Sequence, residues 1–163
     1  MALEFKVRDF FWPRKRILEE LEIRSGAQVL DYGCGPGSYV TALAEMVGTM
    51  GKVYALDAHP LAIRAVKGIV SKRRLSNVET ILSESSTGLS ENSLDVVLLY
   101  DLLHDLADPS HVLGEIHRTL KPDGLLSVSD HHLREAEIVL KITHGGLFRL
   151  SSKGKNTQSF VKH

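Results

Sequence analysis

The chain has 163 residues, 43% apolar and 25% charged, a composition that fits one globular domain and excludes a disordered or fibrous chain. Twenty basic side chains balance twenty acidic ones, so no bulk field draws the protein to nucleic acid or to an anionic membrane. The single cysteine, Cys34, excludes an internal disulfide framework, and neither a signal-peptide core nor a run of roughly 20 apolar residues is present, so a soluble cytoplasmic protein is expected.

The N-terminal stretch gathers Phe5, Phe10, Phe11 and Trp12, an apolar segment that has to cover something: a cleft, a subunit contact or a sheet edge. The basic clusters Arg14-Lys15-Arg16 and Lys72-Arg73-Arg74 read as solvated helix faces. Apolar, β-branched runs at 28–30, 52–56, 78–82 and 94–100 have the near-continuous hydrophobicity of strands buried on both faces of a parallel sheet. Between them Val40, Leu43, Ala44 and Val47, and then Leu61, Ala65, Val66 and Ile69, recur at helical spacing. Asp108-Pro109 reads as an N-cap and first helical residue, ahead of the stripe Val112, Leu113, Ile116 and Leu120. The turn 121–124 should end that helix, with a fifth strand at 125–129 and a helix over 133–143. Two short runs, 147–150 and 157–161, flank a glycine-containing polar loop and make a hairpin. The expected fold class is α/β: a doubly wound, mostly parallel seven-stranded sheet with helices on both faces and a C-terminal antiparallel hairpin. One domain is expected, with 1–23 as an N-terminal flap and helix and 24–163 as the core.

The most informative stretch is VLDYGCGPGSY, residues 29–39, where glycines crowd the passage from the first strand to the next helix. Ligands of doubly wound folds sit outside the carboxyl ends of the strands, and a Cβ in this loop would hold a ligand away. Amide N–H groups near the helix start are expected to stay available to polar ligand atoms. The dinucleotide fingerprint is G-x-G-x-x-G, whereas here the spacing is G-x-G-x-G with Ser38 in place of the third fingerprint glycine. Asp31, two residues before the first glycine, would repel a pyrophosphate and could hold a cation.

Val29-Leu30-Asp31-Tyr32-Gly33-Cys34-Gly35-Pro36-Gly37 resembles the first motif of class I S-adenosylmethionine-dependent methyltransferases. Asp57 at the end of the second strand, Asn92-Ser93-Leu94-Asp95-Val96-Val97 before the fourth, and Leu120-Lys121-Pro122-Asp123-Gly124, similar to an L-K-P-G-G turn, follow in the family's order, so the resemblance runs from about Arg24 to Lys162. It implies S-adenosylmethionine as cofactor and S-adenosylhomocysteine as product. Asp31 and the backbone of Gly33 would face the methionine part, Gly35 and Gly37 shape the loop around Cys34, Asp57 take the ribose hydroxyls, and Ala58 lie beside the adenine. The acid or amide that meets the adenine amino group falls by register on Ser83, so Glu84 and Ser85 are the candidates there. Tyr100 and His104, at and just past the fourth strand, are the candidate catalytic residues, with Tyr100 also a candidate cofactor contact.

Methyl transfer is an in-line displacement that asks mainly for alignment and a dry site, so the absence of a compact triad does not count against an enzyme. A base is required only for an acceptor that must lose a proton, and one of His131 and His132 facing the cleft is a further candidate. No metal site is expected, because adjacent residues on an extended chain point to opposite faces. The neutral charge favours a small-molecule acceptor over nucleic acid, and the scarcity of added elements raises a homodimer as one way to complete the pocket. A nicotinamide-dependent oxidoreductase and a non-catalytic S-adenosylmethionine-binding protein are the competing readings.

Overall fold

The structure, a computed structural model, describes residues 14–163, so the aromatic segment with Phe5, Phe10, Phe11 and Trp12 lies outside the described residues. A helical segment α1 over 14–19 leads into β1 (Gln28–Tyr32), α2 (Val40–Val47), β2 (Lys52–Asp57), α3 (Pro60–Arg73) and β3 (Val78–Leu82). There follow β4 (Leu94–Tyr100), α4 (Ser110–Thr119), β5 (Leu120–Ser129), α5 (Glu135–Thr143), β6 (Phe148–Lys153) and β7 (Gln158–Lys162). The sheet has seven strands in the order β3-β2-β1-β4-β5-β7-β6, parallel from β3 to β5 and closed by the antiparallel β7 and β6. The chain winds outward from β1 to β3 and then returns to β4, so the switch point of the fold lies between β1 and β4.

Alternation along the central strands divides the core between the two sheet faces. Leu30, Val97 and Leu99 pack in one cluster with Leu113 and Ile116 of α4 and Ile138 and Ile142 of α5. Val29, Val96 and Leu98 pack in the other, with Leu18 of α1 and Leu43 and Val47 of α2. A strand buried on both faces has no polar face to show, which is why β4 reads as apolar throughout apart from Asp95 near its start.

The expected turn at 121–124 is instead a bulge inside a longer strand. Leu120 already pairs with Leu94, and the register shifts before Leu125 meets Val96. Asp95, opposite the bulge, gives the irregularity its reason: one carboxylate oxygen accepts from Lys121 Nζ at 2.7 Å and the other from the Gln28 N–H at 2.8 Å. Helix α4 begins one residue later than expected, with Asp108 accepting from the Ser110 N–H at 2.9 Å.

The β6–β7 turn is anchored across the chain by Glu20, just beyond α1. Its carboxylate accepts from Asn156 Nδ2 and Thr157 Oγ1, each at 2.8 Å, and from the Asn156 and Thr157 N–H groups at 3.2 Å. Burial pushes the Glu20 carboxyl up, but the bonds from Thr157 and Asn156 outweigh it and hold the group below its ordinary 4.5. Glu20→Ala is therefore expected to cost about 1.5–3 kcal/mol and to lower the melting temperature by about 4–10 °C in a circular-dichroism melt. Because the folded-state value is depressed, the wild-type advantage should be complete above pH 4.5 and fade in more acid solution. Equal melting of the two proteins at neutral pH would remove Glu20 from this role.

Candidate active site

The glycine loop joins β1 to α2 at the switch point, and two of its glycines have distinct reasons to be glycine. At Gly37, with φ +88°, a Cβ would come within 2.9 Å of Ile69 Cδ1 and 3.1 Å of Val66 Cγ2, so packing against α3 excludes any side chain. At Gly35, with φ +53°, a Cβ would meet nothing within 4 Å, so this position faces open space.

Ahead of the helix start, four loop N–H groups are engaged within the fold. Gly33 and Cys34 both donate to the Leu56 carbonyl, at 2.8 and 2.9 Å, Gly35 donates to Asp57 Oδ2 at 2.9 Å, and Gly37 donates to the Cys34 carbonyl at 3.1 Å. Buried donors have to be paired, and the end of β2 supplies the nearest acceptors. Asp57 accepts from the His59 N–H through its other oxygen at 2.9 Å, yet an ionised carboxylate keeps further lone pairs for a ligand. Ala58, next to it, is exposed.

Asp31 is 2% exposed, and its Oδ2 is buried with no hydrogen-bond partner among the described residues. Burial first, and then the charge of Asp57, raise its pKa to about 7. The Cys34 thiol is pushed up too, by burial and then by Asp31 and Asp57, which keeps it a protonated and inert group. Beyond β3, the Tyr32 hydroxyl donates to the Ser85 carbonyl at 2.8 Å and the Ser85 N–H donates to Ser83 Oγ at 3.3 Å, while Glu84 is exposed. Asp31, Gly33, Gly35 and Asp57 thus come together at one loop, Tyr32 ties Ser85 to the same edge, and Glu84 stands at the surface.

Tyr100 is buried, its hydroxyl shares a 2.8 Å hydrogen bond with Ser127 Oγ, and its ring meets Tyr39 edge-on at 5.2 Å. Burial pushes its pKa up. His104 sits in a short 3-10 turn, Leu103–Asp105, with Nδ1 at 2.9 Å from Asp130 Oδ2 and Nε2 at 3.3 Å from Asp105 Oδ1. The hydrogen bond to Asp130 raises the His104 pKa. The His132 ring lies 4.1 Å from those of both His104 and His131, measured between centroids. Among the described residues no group of three or more histidine, cysteine or acidic side chains is placed to hold a metal ion.

Three polar residues of this edge carried no sequence signal. Asp101 takes a left-handed φ of +51°, unusual for a residue other than glycine, and its Oδ1 accepts from the N–H and the Nδ1 of His131. Asp130 is buried and takes the His104 and His132 N–H groups at 2.9 and 3.0 Å. Gln158, 5% exposed, has an Oε1 buried without a hydrogen-bond partner among the described residues. Left-handed backbone at the end of a buried strand is a signal that only the structure provides.

The sequence profile of a family described as "Methyltransferase domain" matches residues 23–159. A demethylmenaquinone methyltransferase of Geobacillus stearothermophilus is 34% identical over 113 residues, 69% of this chain and 48% of that protein. The chain thus spans about half the length of the curated relatives it matches. A crystal structure of an S-adenosylmethionine-dependent methyltransferase from Aquifex aeolicus superposes with a TM-score of 0.80 at 28% identity, over 95% of this chain and 90% of that one. The chain belongs to the class I S-adenosylmethionine-dependent methyltransferases. An O-methyltransferase from Thermotoga maritima, 19% identical with a TM-score of 0.69 over 90% of this chain and 62% of its own, shares the methyltransferase fold. Among the described residues no helix of this methyltransferase is long and apolar enough to cross a membrane.

The unpartnered carboxyl of Asp31 gives this methyltransferase a measurable signature. Its folded-state pKa of about 7 lies above the ordinary 3.8, so the ligand-free protein should lose stability as pH rises from about 4 to 7. Asp31→Asn removes the buried charge and should melt higher than wild type at pH 8 while matching it near pH 4. Calorimetric melts across that range check this, and parallel curves for the two proteins would contradict it.

Proposed function

We propose that this methyltransferase moves the methyl group of S-adenosylmethionine onto a small aromatic acceptor of the quinol type, using the core at 24–163. The observation that carries the reading is the buried Asp31 Oδ2 without a hydrogen-bond partner among the described residues, at the strand end that leads into a loop open at Gly35. A buried carboxylate without a partner is costly and gains most from a cation, which the amino-acid end of the donor supplies as its ammonium group. Asp57, one strand across, keeps lone pairs for a ribose diol, and Ala58 leaves the adenine an unobstructed approach. Glu84 and Ser85 are the groups proposed to meet the adenine amino group. The same Asp31 carboxylate opposes a dinucleotide pyrophosphate.

The donor supplies a methyl group on a positively charged sulfur with a neutral thioether as leaving group, so the protein's work is binding, alignment and exclusion of water. The quinol-type acceptor is supported by the names of the curated relatives and by the neutral charge of the chain, which offers no field to a polyanion.

Titration calorimetry should show S-adenosylhomocysteine binding. Asp57→Ala should weaken it by about 10–100-fold, the effect of losing hydrogen bonds to a charged group. Because an ammonium favours ionised Asp31, wild-type affinity should climb as pH rises through about 7 and then level, and Asp31→Asn should bind weakly with a flat profile. Binding of a nicotinamide dinucleotide with no response to S-adenosylhomocysteine would reverse the assignment.

A further inference from the structure

Beside the glycine loop, at the carboxyl ends of β4 and β5, lies a second cleft of about 340 Å3. Its walls include Tyr39, which follows the loop, Asp101 and His131 at the strand ends, Leu133 and Ile138 from the α5 side, and Gln158 at the start of β7. Tyr39 follows the glycine loop in the chain and lines this cleft, so the cleft begins where the loop ends. The cleft combines an apolar flank, the aromatic ring of Tyr39 and a few convergent polar groups, which is the make-up of a small-molecule site.

Two features of this cleft bear on what it could hold. The Gln158 Oε1 is buried with no hydrogen-bond partner among the described residues, so it can accept from a donor that a ligand brings. Asp101 holds a strained left-handed conformation in which its carboxylate meets His131 through both the backbone N–H and Nδ1. A carboxylate can only accept, so the Nδ1 that meets Asp101 bears a proton, and in a neutral ring this tautomer puts the lone pair on Nε2. His104 differs, because its two ring nitrogens face the carboxylates of Asp130 and Asp105.

We propose that this cleft is the acceptor site, that Gln158 recognises a hydroxyl of the acceptor, and that His131, oriented by Asp101, takes the hydroxyl proton. The proposal rests on the methyl-transfer reading above and goes beyond it by assigning the acceptor residues. The acceptor O–H bond breaks with its proton going to His131 Nε2, and the oxygen's electron pair moves into the ring. A ring carbon then forms a bond to the methyl carbon as the carbon–sulfur bond breaks, its electron pair staying on sulfur. Loss of the proton from that ring carbon to water restores the aromatic ring. His131 is 71% exposed in its side chain, which gives it direct exchange with solvent for the next turnover. Asp101 is a positioning residue, and Asn at 101 keeps the left-handed backbone because asparagine tolerates it.

The test uses the full chain, anaerobic 1,4-dihydroxynaphthalene as acceptor probe and labelled S-adenosylmethionine. His131→Ala should lower kcat by about 10²–10⁴ with unchanged affinity for S-adenosylhomocysteine, and added imidazole should restore part of the rate. Asp101→Asn should lower kcat without imidazole rescue and with the KM for the diol held. Gln158→Leu should raise that KM about three- to tenfold and melt at or above the wild-type temperature, since it removes an unpartnered buried amide. Full turnover by His131→Ala, or an unchanged KM with a lowered melting temperature for Gln158→Leu, overturns the assignment. A wild type that binds S-adenosylhomocysteine but neither binds nor methylates the diol overturns the acceptor site and leaves the donor reading intact; failure to bind S-adenosylhomocysteine removes the donor reading itself.

Discussion

The site depends on the hydrogen bonds that fasten the glycine loop to the end of β2. The Leu56 carbonyl takes the N–H groups of Gly33 and Cys34, and Asp57 takes that of Gly35. These three bonds curl the chain back over the neighbouring strand directly after β1, which holds Asp31 beneath the loop and leaves Gly35 on its open side. Positive φ at Gly33, Gly35 and Gly37 is the backbone condition for this path, and the tight packing at Gly37 against Val66 and Ile69 fixes how α2 and α3 flank it. One set of bonds thereby ties the end of β1, with Asp31, to the end of β2, with Asp57.

Four aspartates stand along this edge of the sheet, and each carries its charge differently. Asp57 is satisfied by backbone N–H groups, Asp101 by His131, and Asp130 by the His104 ring and two backbone N–H groups. Burial pushes the Asp130 carboxyl up, but the hydrogen bonds from His104 and His132 prevail and keep it below its ordinary value. Asp31 alone among the four has a buried oxygen with no partner among the described residues, and burial and then the charge of Asp57 push its pKa up to about 7. A folded chain tolerates an unsatisfied buried group where another molecule completes it, which is why the proposed donor site rests on Asp31.

Most of the fold was legible in the sequence because its signals are local. The run 94–100 is apolar on both faces, the helical stripes repeat at the right period, and the polar loop between 150 and 157 marks a hairpin. The start of β5 was not, because Lys121-Pro122-Asp123-Gly124 has turn chemistry and its pairing is decided by Asp95, 26 positions away. The engagement of the loop N–H groups by β2 was equally hidden, since nothing in a glycine motif says which carbonyl lies beneath it. Asp101, Asp130 and Gln158 are ordinary polar residues in sequence. They acquire meaning only when His131 arrives 30 residues after Asp101 and Gln158 is buried with its amide oxygen unpaired.

The antiparallel hairpin explains why a residue so near the C-terminus belongs to this edge. Parallel strands all finish at the carboxyl edge, so each contributes its last residues there, as β1, β2, β4 and β5 do. A further parallel strand could do no more than add another ending. Because β7 runs the opposite way, it begins where β5 ends: Gln158 pairs with Val128, two positions before Asp130. Its preceding turn, with Asn156 and Thr157, therefore falls on the same edge and is held there by Glu20 from the far end of the chain. Reversing one strand brings a strand start and a turn, with Ile17 of α1 beside them, into the wall of a cleft that parallel winding alone would leave open.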